Sequence, residues 1–326
     1  MIESTTEDTI VVADGDTRLI AGLQNFLVSS EVVALVCRPW KAMVNWPSTQ
    51  EGHEKHKGTR DMEMHDDDPA ALEIILNIAH LRFEAIPQSL DFKQLLSLAI
   101  LTDKYQATRV LRPWIANWTV DITRFVGKPG YEECAWIAWE FGLEVEFEHI
   151  VTYLILHARV DHEGSCLVDD EYLQSKQLPS GLIESILDVR YTTIERLLGI
   201  PYDYMGRIEK TEHAAGLCRI TKAECTALLF GSLMLGLKSL GLGMSQPDTG
   251  DFTSSISELA RGLTTISIYR YEVGHHHYRH YSGESHNECN IQGDLRERVK
   301  EVLKNVPSGM TENHRSHIRT QERLLR

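Results

Sequence analysis

The stretch RDMEMHDDDPAALEIILNIAH, residues 60–80, holds a strand, a cap and a helix in direct succession. Asp61 to His65 alternates polar and apolar side chains, as a half-buried strand does. Asp68 then precedes Pro69, an N-cap residue followed by proline at the first helical position, and opens a helix over residues 70–80. Upstream, Thr9 to Ala13 is a β-branched run, followed by Asp14-Gly15 and a second run from Asp16 to Gly22. An Asp-Gly pair between two such runs predicts a hairpin closed at residues 14–15. Ser29-Ser30 caps a short helix over Glu31 to Cys37, and Pro39 separates it from a second over Trp40 to Val44. Residues 47–58 are polar, carry Gly and Pro, and read as a loop.

Downstream, helices dominate. Asp91 with Gln94 forms a capping box before a helix through Tyr105, and a further helix covers residues 107–119 with Trp114 and Trp118 one turn apart. Gly127-Lys-Pro-Gly130 is a breaker cluster and the expected domain boundary. Beyond it helical patterns cover residues 132–142, 146–157 and 182–189. Thr192, Thr221 and Ser255 each start a capping-box word that opens another helix, the first ending near Gly199 and Pro201. Segment 270–293 is His- and Gly-rich and irregular, a charged helix spans about residues 294–304, and residues 311–326 read as a charged tail. The pattern as a whole is α+β: a strand-bearing N-terminal domain followed by an all-helical C-terminal region.

Composition narrows the function classes. Hydrophobic residues make up 42% of the 326 and charged residues 25%, which excludes general disorder. The 33 Lys and Arg against 47 Asp and Glu give a formal charge of −14, a poor match for a phosphate backbone. The longest uncharged apolar stretch, Cys225 to Leu237, is too short to span a bilayer, and MIESTTEDT lacks the basic start and apolar run of a secretory signal. The expectation is an intracellular protein, in nucleus or cytoplasm, with no membrane and no direct nucleic-acid partner. Acidity concentrates at the start: residues 1–80 hold 14 acidic against 6 basic side chains.

The order of elements, with the words that carry it, resembles a BTB/POZ domain over residues 8–122. DTIVVADGDTRLIAG resembles its opening hairpin, and FLVSSEVVALVCRPWKAMV the following helical pair. RDMEMHDDDPAALEIILNIAH is similar to its third strand and helix, and LLSLAILTDKYQATRVLRPWIANW to its helical hairpin. IAWEFGLEVEFEHIVTYLILHARVD, LPSGLIESILDVRYTTIERLL and ECTALLFGSLMLGLKSLGL resemble the helical extension of fungal BTB-domain proteins, here residues 123–310. The resemblance implies protein–protein interaction, often homodimerisation through the first helical pair, and in some members adaptor duty in transcription or for cullin ubiquitin ligases. Two departures bear on this. Only seven residues precede the first strand, little material for an exchanged strand. The hydrophobic-x-Glu word of cullin-binding members is missing, since Thr49 and Gly52 stand two positions before Glu51 and Glu54. Cullin binding is therefore disfavoured.

One constellation carries chemistry: Cys218, Cys225, His286 and Cys289. Three thiols and an imidazole are an accepted tetrahedral zinc set, and His286-x-x-Cys289 lets one turn present two ligands. The six residues between Cys218 and Cys225 exceed the usual two to four, so spacing alone leaves unrelated thiols as the alternative. The resemblance implies the ligand set, because the extension carries Cys, Cys and a late H-x-x-C at these places. His275, in the His275-His276-His277 word, is the alternative imidazole. A single zinc here would be structural. Enzymatic signatures are absent: there is no G-x-S-x-G, Walker A, G-x-G-x-x-G or HExxH. The expected function is a non-enzymatic interaction module that binds other proteins or itself through Val32, Val33, Val36 and Met43. A zinc hydrolase built on the His-rich loop is the rival.

Overall fold

The computed structural model describes residues 7–45, 59–209, 218, 222–269, 271 and 286–326. The chain divides into two compact units. The first takes the chain up to Ile150, with Gln177–Pro179 and Thr311–Arg326; the second takes Val151–Lys176 and Ser180–Met310.

The first unit is built on a four-stranded sheet of β1 (Glu7–Ile10), β2 (Thr17–Ala21), β3 (Gln24–Val28) and β4 (Arg60–Glu63), in the order β1-β3-β2-β4. β2 and β3 pair antiparallel from Thr17↔Val28 to Ala21↔Gln24, while β1 runs parallel to β3 and β4 parallel to β2. The hairpin expected at Asp14-Gly15 therefore closes instead at Gly22-Leu23. Gly22 takes φ +58° as the first of two loop residues, the place where a II′-type turn needs positive φ. Gly15 serves another purpose: a Cβ there would lie 2.8 Å from the Leu27 Cγ and the Val28 carbonyl oxygen. Asp16 also leaves the turn, its carboxylate accepting from the Ser30 amide at 2.7 Å and the Ser30 hydroxyl at 2.6 Å. Burial opposes that charge, but the Ser30 bonds outweigh it and hold the Asp16 carboxyl below the ordinary range.

Helices α1 (Ser30–Val36) and α2 (Arg38–Asn45) lie between β3 and β4. After β4 come α3 (Pro69–Ala79), α4 (Phe92–Tyr105), α5 (Arg112–Trp118), α6 (Cys134–Glu140) and α7 (Glu144–His157). Two expected caps form, Asp68 accepting from the Ala71 amide at 2.8 Å and Asp91 and Gln94 closing their box at 2.9 and 3.0 Å, whereas Ser29 at the start of α1 makes no side-chain cap bond. α3 is the centre of the core, with Leu72, Ile75 and Leu76 without solvent contact, and it packs on α4, α1 and β3. Buried Asp67 joins it to α4, accepting from Lys104 Nζ at 2.6 Å and Tyr105 Oη at 2.5 Å.

The breaker at residues 127–130 does not end this unit. α6 packs on α4, and the buried Glu140 carboxylate accepts from Thr102 Oγ1 at 3.0 Å and Thr108 Oγ1 at 2.5 Å. Residues 311–326 are not a free tail either. They form a helix, Glu312–Leu325, opened by a Thr311–His314 capping box, with His314, Ile318 and Gln321 buried. Gln321 Nε2 donates to Glu140 at 2.9 Å, so the C-terminal helix belongs to the first unit.

The second unit is not all-helical. It holds a three-stranded antiparallel meander of β5 (Arg159–Val160), β6 (Cys166–Val168) and β7 (Glu171–Tyr172). Its turns use positive φ at Gly164, Asp169 and Asp170. The unit also holds α8 (Leu182–Glu209), α9 (Ala223–Ser239), α10 (Ile256–Thr265) and α11 (Gln292–Lys304), with α8 packing on the other three. The two helices expected either side of Thr192 are one, because the Thr192 hydroxyl donates back to the Asp188 and Val189 carbonyls rather than capping a new start. Pro201 is carried within α8, where it withholds one amide from the ladder. Buried Arg190 on α8 donates to the Ala158, Phe252 and Ser254 carbonyls and ties the meander to the loop before α10.

Two outcomes are expected. Gly142 has φ +69° and a Cβ there would come within 2.5 Å of the Glu322 amide, whereas Gly130 has φ +83° and open space. In chemical denaturation Gly130→Ala should cost about 1–2 kcal/mol from backbone strain alone, and Gly142→Ala about 1–3 kcal/mol more from overpacking. Burial also pushes the Cys134 thiol up to about 12. The folded protein keeps that proton while the unfolded chain loses it near the ordinary thiol value, so stability is full below about pH 8.5 and falls as pH rises beyond it. Cys134→Ala should flatten the alkaline decline by up to about 1.4 kcal/mol per pH unit.

Candidate metal centre

Cys218, Cys225, His286 and Cys289 come together in the second unit, all buried, with their ligand atoms within 4.8 Å of one another. Cys225 is the third residue of α9, where the helix dipole favours a thiolate. The expected cap of α9, Thr221, lies outside the described residues; Lys222 occupies the cap position and makes no side-chain cap bond. His286 and Cys289 are the first and last residues of a 3-10 turn, Glu288 between them pointing to solvent. At three residues per turn, positions i and i+3 eclipse, so the two ligands project on one side. Local geometry thus converts the H-x-x-C word into a pair.

The distances fit one ion. Cys218 Sγ lies 3.4 Å from His286 Nδ1, and Cys289 Sγ lies 3.8 Å from both. A tetrahedron with metal–sulfur bonds of about 2.3 Å and metal–nitrogen bonds of about 2.0 Å has edges of about 3.8 Å between sulfurs and about 3.5 Å between sulfur and nitrogen. The cysteines are free thiols, and 3.8 Å between sulfurs is far from a disulfide. Without a cation the arrangement resists ionisation: burial and the neighbouring Cys218 and Cys289 hold the Cys225 thiol above its ordinary range. A divalent ion removes that resistance by taking the charge, with release of protons. Outside the ligands, the Tyr271 ring meets the His286 ring edge-on at 5.1 Å, and Lys222 Nζ sits 4.8 Å from the Tyr271 centroid. The cluster can hold a metal ion.

The other sequence candidates divide. His275 and the rest of its word lie outside the described residues. Asp67 and Asp68 are committed to Lys104, Tyr105 and the α3 cap, and no second metal-ligating group occurs among the described residues. Trp114 stacks on Trp118 at 6.2 Å and Trp136 meets Trp139 at 5.0 Å, as packing pairs.

Of the four expected interaction residues, Val33 is buried without solvent contact, while Val32, Val36 and Met43 are half-buried. The most exposed large apolar side chain among the described residues is instead Leu35, at 87%. Its position three residues after Val32 on a helix was the available signal. No helix among the described residues is long and apolar enough to cross a membrane.

Cys289→Ser should lower the affinity for added Zn²⁺ or Co²⁺ at least about tenfold, and Cys289→His, which restores a ligand, should recover most of it. Co²⁺ titration followed by thiolate-to-metal charge-transfer absorption reads both. Acidification should release the ion, because protons compete for the thiolates.

No protein-family model, no curated protein and no solved structure matches the chain.

Proposed function

We propose that the chain is a non-enzymatic protein–protein interaction module of BTB/POZ type, with α1 and α2 as its binding face and one structural zinc in its C-terminal region. The element order of the first unit supports the family reading: a helical pair stands between the hairpin and the next strand, and the helices α3 to α6 follow. One observation carries the function. α1 is apolar on two faces: Val33 packs into the core, while Val32, Leu35 and Val36 form a second apolar face turned outward. A helix of a self-sufficient domain needs only one such face, and an uncovered second one marks a contact surface. The partner is a second copy of the chain or another protein.

The zinc reading rests on the ligand set. Three thiolates and an imidazole are soft donors suited to zinc, and four protein ligands complete the tetrahedron. A zinc hydrolase needs an open coordination position for water and a base beside it. The saturated set favours a structural ion instead, tying the turn at residues 286–289 to the start of α9.

Leu35→Asp tests the binding face. At 87% exposure the side chain contributes little to folding, so the thermal midpoint should stay within the range of an ordinary surface change, about 0.5 kcal/mol in stability. Sedimentation of the full chain should show a concentration-dependent dimer that Leu35→Asp weakens by about tenfold or more. A monomeric parent whose co-purifying proteins are unchanged by Leu35→Asp would refute the reading.

A further inference from the structure

The first unit carries a cleft of about 760 Å³, within the range that small ligands and short peptides fill. One wall is the end of α1 with the start of α2, another the end of α4 and the turn after it, and the third the C-terminal helix. Leu35, Val36 and Leu324 make an apolar corner, Leu35 being 87% exposed and Leu324 40%. Arg38 and Arg109 stand on the same cleft, both exposed, and neither makes an ion pair or a side-chain hydrogen bond among the described residues. The only carboxylate lining it is Asp103, and His317 faces that group. Beneath the cleft Glu140 is sealed from solvent and saturated by Thr102, Thr108 and Gln321.

Two uncommitted guanidiniums thus share the cleft with a single carboxylate. Guanidinium forks match carboxylates in a bidentate way, and the apolar corner beside them excludes water from such a pair. We propose that the cleft receives a short acidic–aliphatic peptide segment of a partner protein, its aliphatic side chain on Leu35, Val36 and Leu324 and its carboxylates on Arg38 and Arg109. This rests on the interaction-module reading and gives that module a partner chemistry.

The test is fluorescence anisotropy of the full chain with a labelled peptide, Glu-Leu-Asp-Ile-Glu, and with its counterpart in which every acidic residue is Lys. The acidic peptide should bind, and the lysine counterpart should bind at least about tenfold more weakly. The double variant Arg38→Glu/Arg109→Glu should lose about tenfold or more, while Lys93→Glu, a charge reversal in the first turn of α4, at the opposite end of that helix from the cleft, should leave binding unchanged. Equal binding of both peptides, no saturation up to about 1 mM, or equal loss in both variants overturns the proposal. Sedimentation of the same variants separates the two readings: self-association that persists in the double variant without peptide selectivity sinks the cleft alone.

Discussion

A carboxylate with no solvent contact, Glu140, holds the first unit to its present extent. Burying a charge costs several kcal/mol unless hydrogen bonds replace its water. Here they come from three places: Thr102 on α4, Thr108 in the turn after it, and Gln321 on the C-terminal helix. Burial nevertheless raises the Glu140 pKa, with His317, Thr108 and Thr102 working in the opposite direction. His317 also stacks flat on Trp139 at 3.5 Å, beside the buried acid. The cluster explains why α6, beyond the glycine-rich breaker, still belongs to the first unit, and why the chain returns 181 residues later, at Gln321, to complete it. Removing one donor would leave a partly satisfied buried acid, which is worse than none at all.

The second unit has a comparable problem with a different answer. Three buried thiols and an imidazole have been brought within 4.8 Å, from positions up to 71 residues apart. Thiols can pack as small hydrophobes, as Cys37 and Cys134 do in the first unit. Four ligand-type side chains with their ligand atoms within 4.8 Å of one another, and an imidazole nitrogen turned toward the sulfurs, are not explained by packing alone. An ion held at their centre would convert mutual repulsion between thiolates into attraction, and its binding free energy would become folding free energy for the segments it joins.

The local signals were legible, and the long-range ones were not. Asp68-Pro69, the Asp91–Gln94 box and the Ser255–Glu258 box all read correctly, because a cap is satisfied within one turn of chain. The hairpin did not, because Asp14-Gly15 and Gly22-Leu23 both present turn chemistry, and only the parallel pairing of β1 with β3 decides between them. The β5–β7 meander has strands of two and three residues, too short for alternation to register. The C-terminal helix has a charged sequence whose buried side includes His314 and Gln321, polar residues with partners distant in sequence. At the metal centre the residues were legible but their convergence was not, since the spacing from Cys218 to Cys225 is longer than a standard turn allows. Leu35 was hidden by its neighbours: in SEVVALV every apolar residue looks alike until the buried side is known.

Charge sets a last constraint on any binding by the first unit. Its opening 80 residues carry a net charge of −8, so at long range an acidic partner is repelled. Repulsion between exposed charges fades beyond a Debye length, about 8 Å at physiological salt. Arg38 and Arg109 act inside that distance, where a contacting carboxylate meets them directly and Leu35, Val36 and Leu324 lower the local dielectric. Recognition of that kind is slow to form and depends on fit. It separates a matching segment from acidic chain in general, which the surrounding field turns away, and from basic chain, which the field attracts but the two arginines reject.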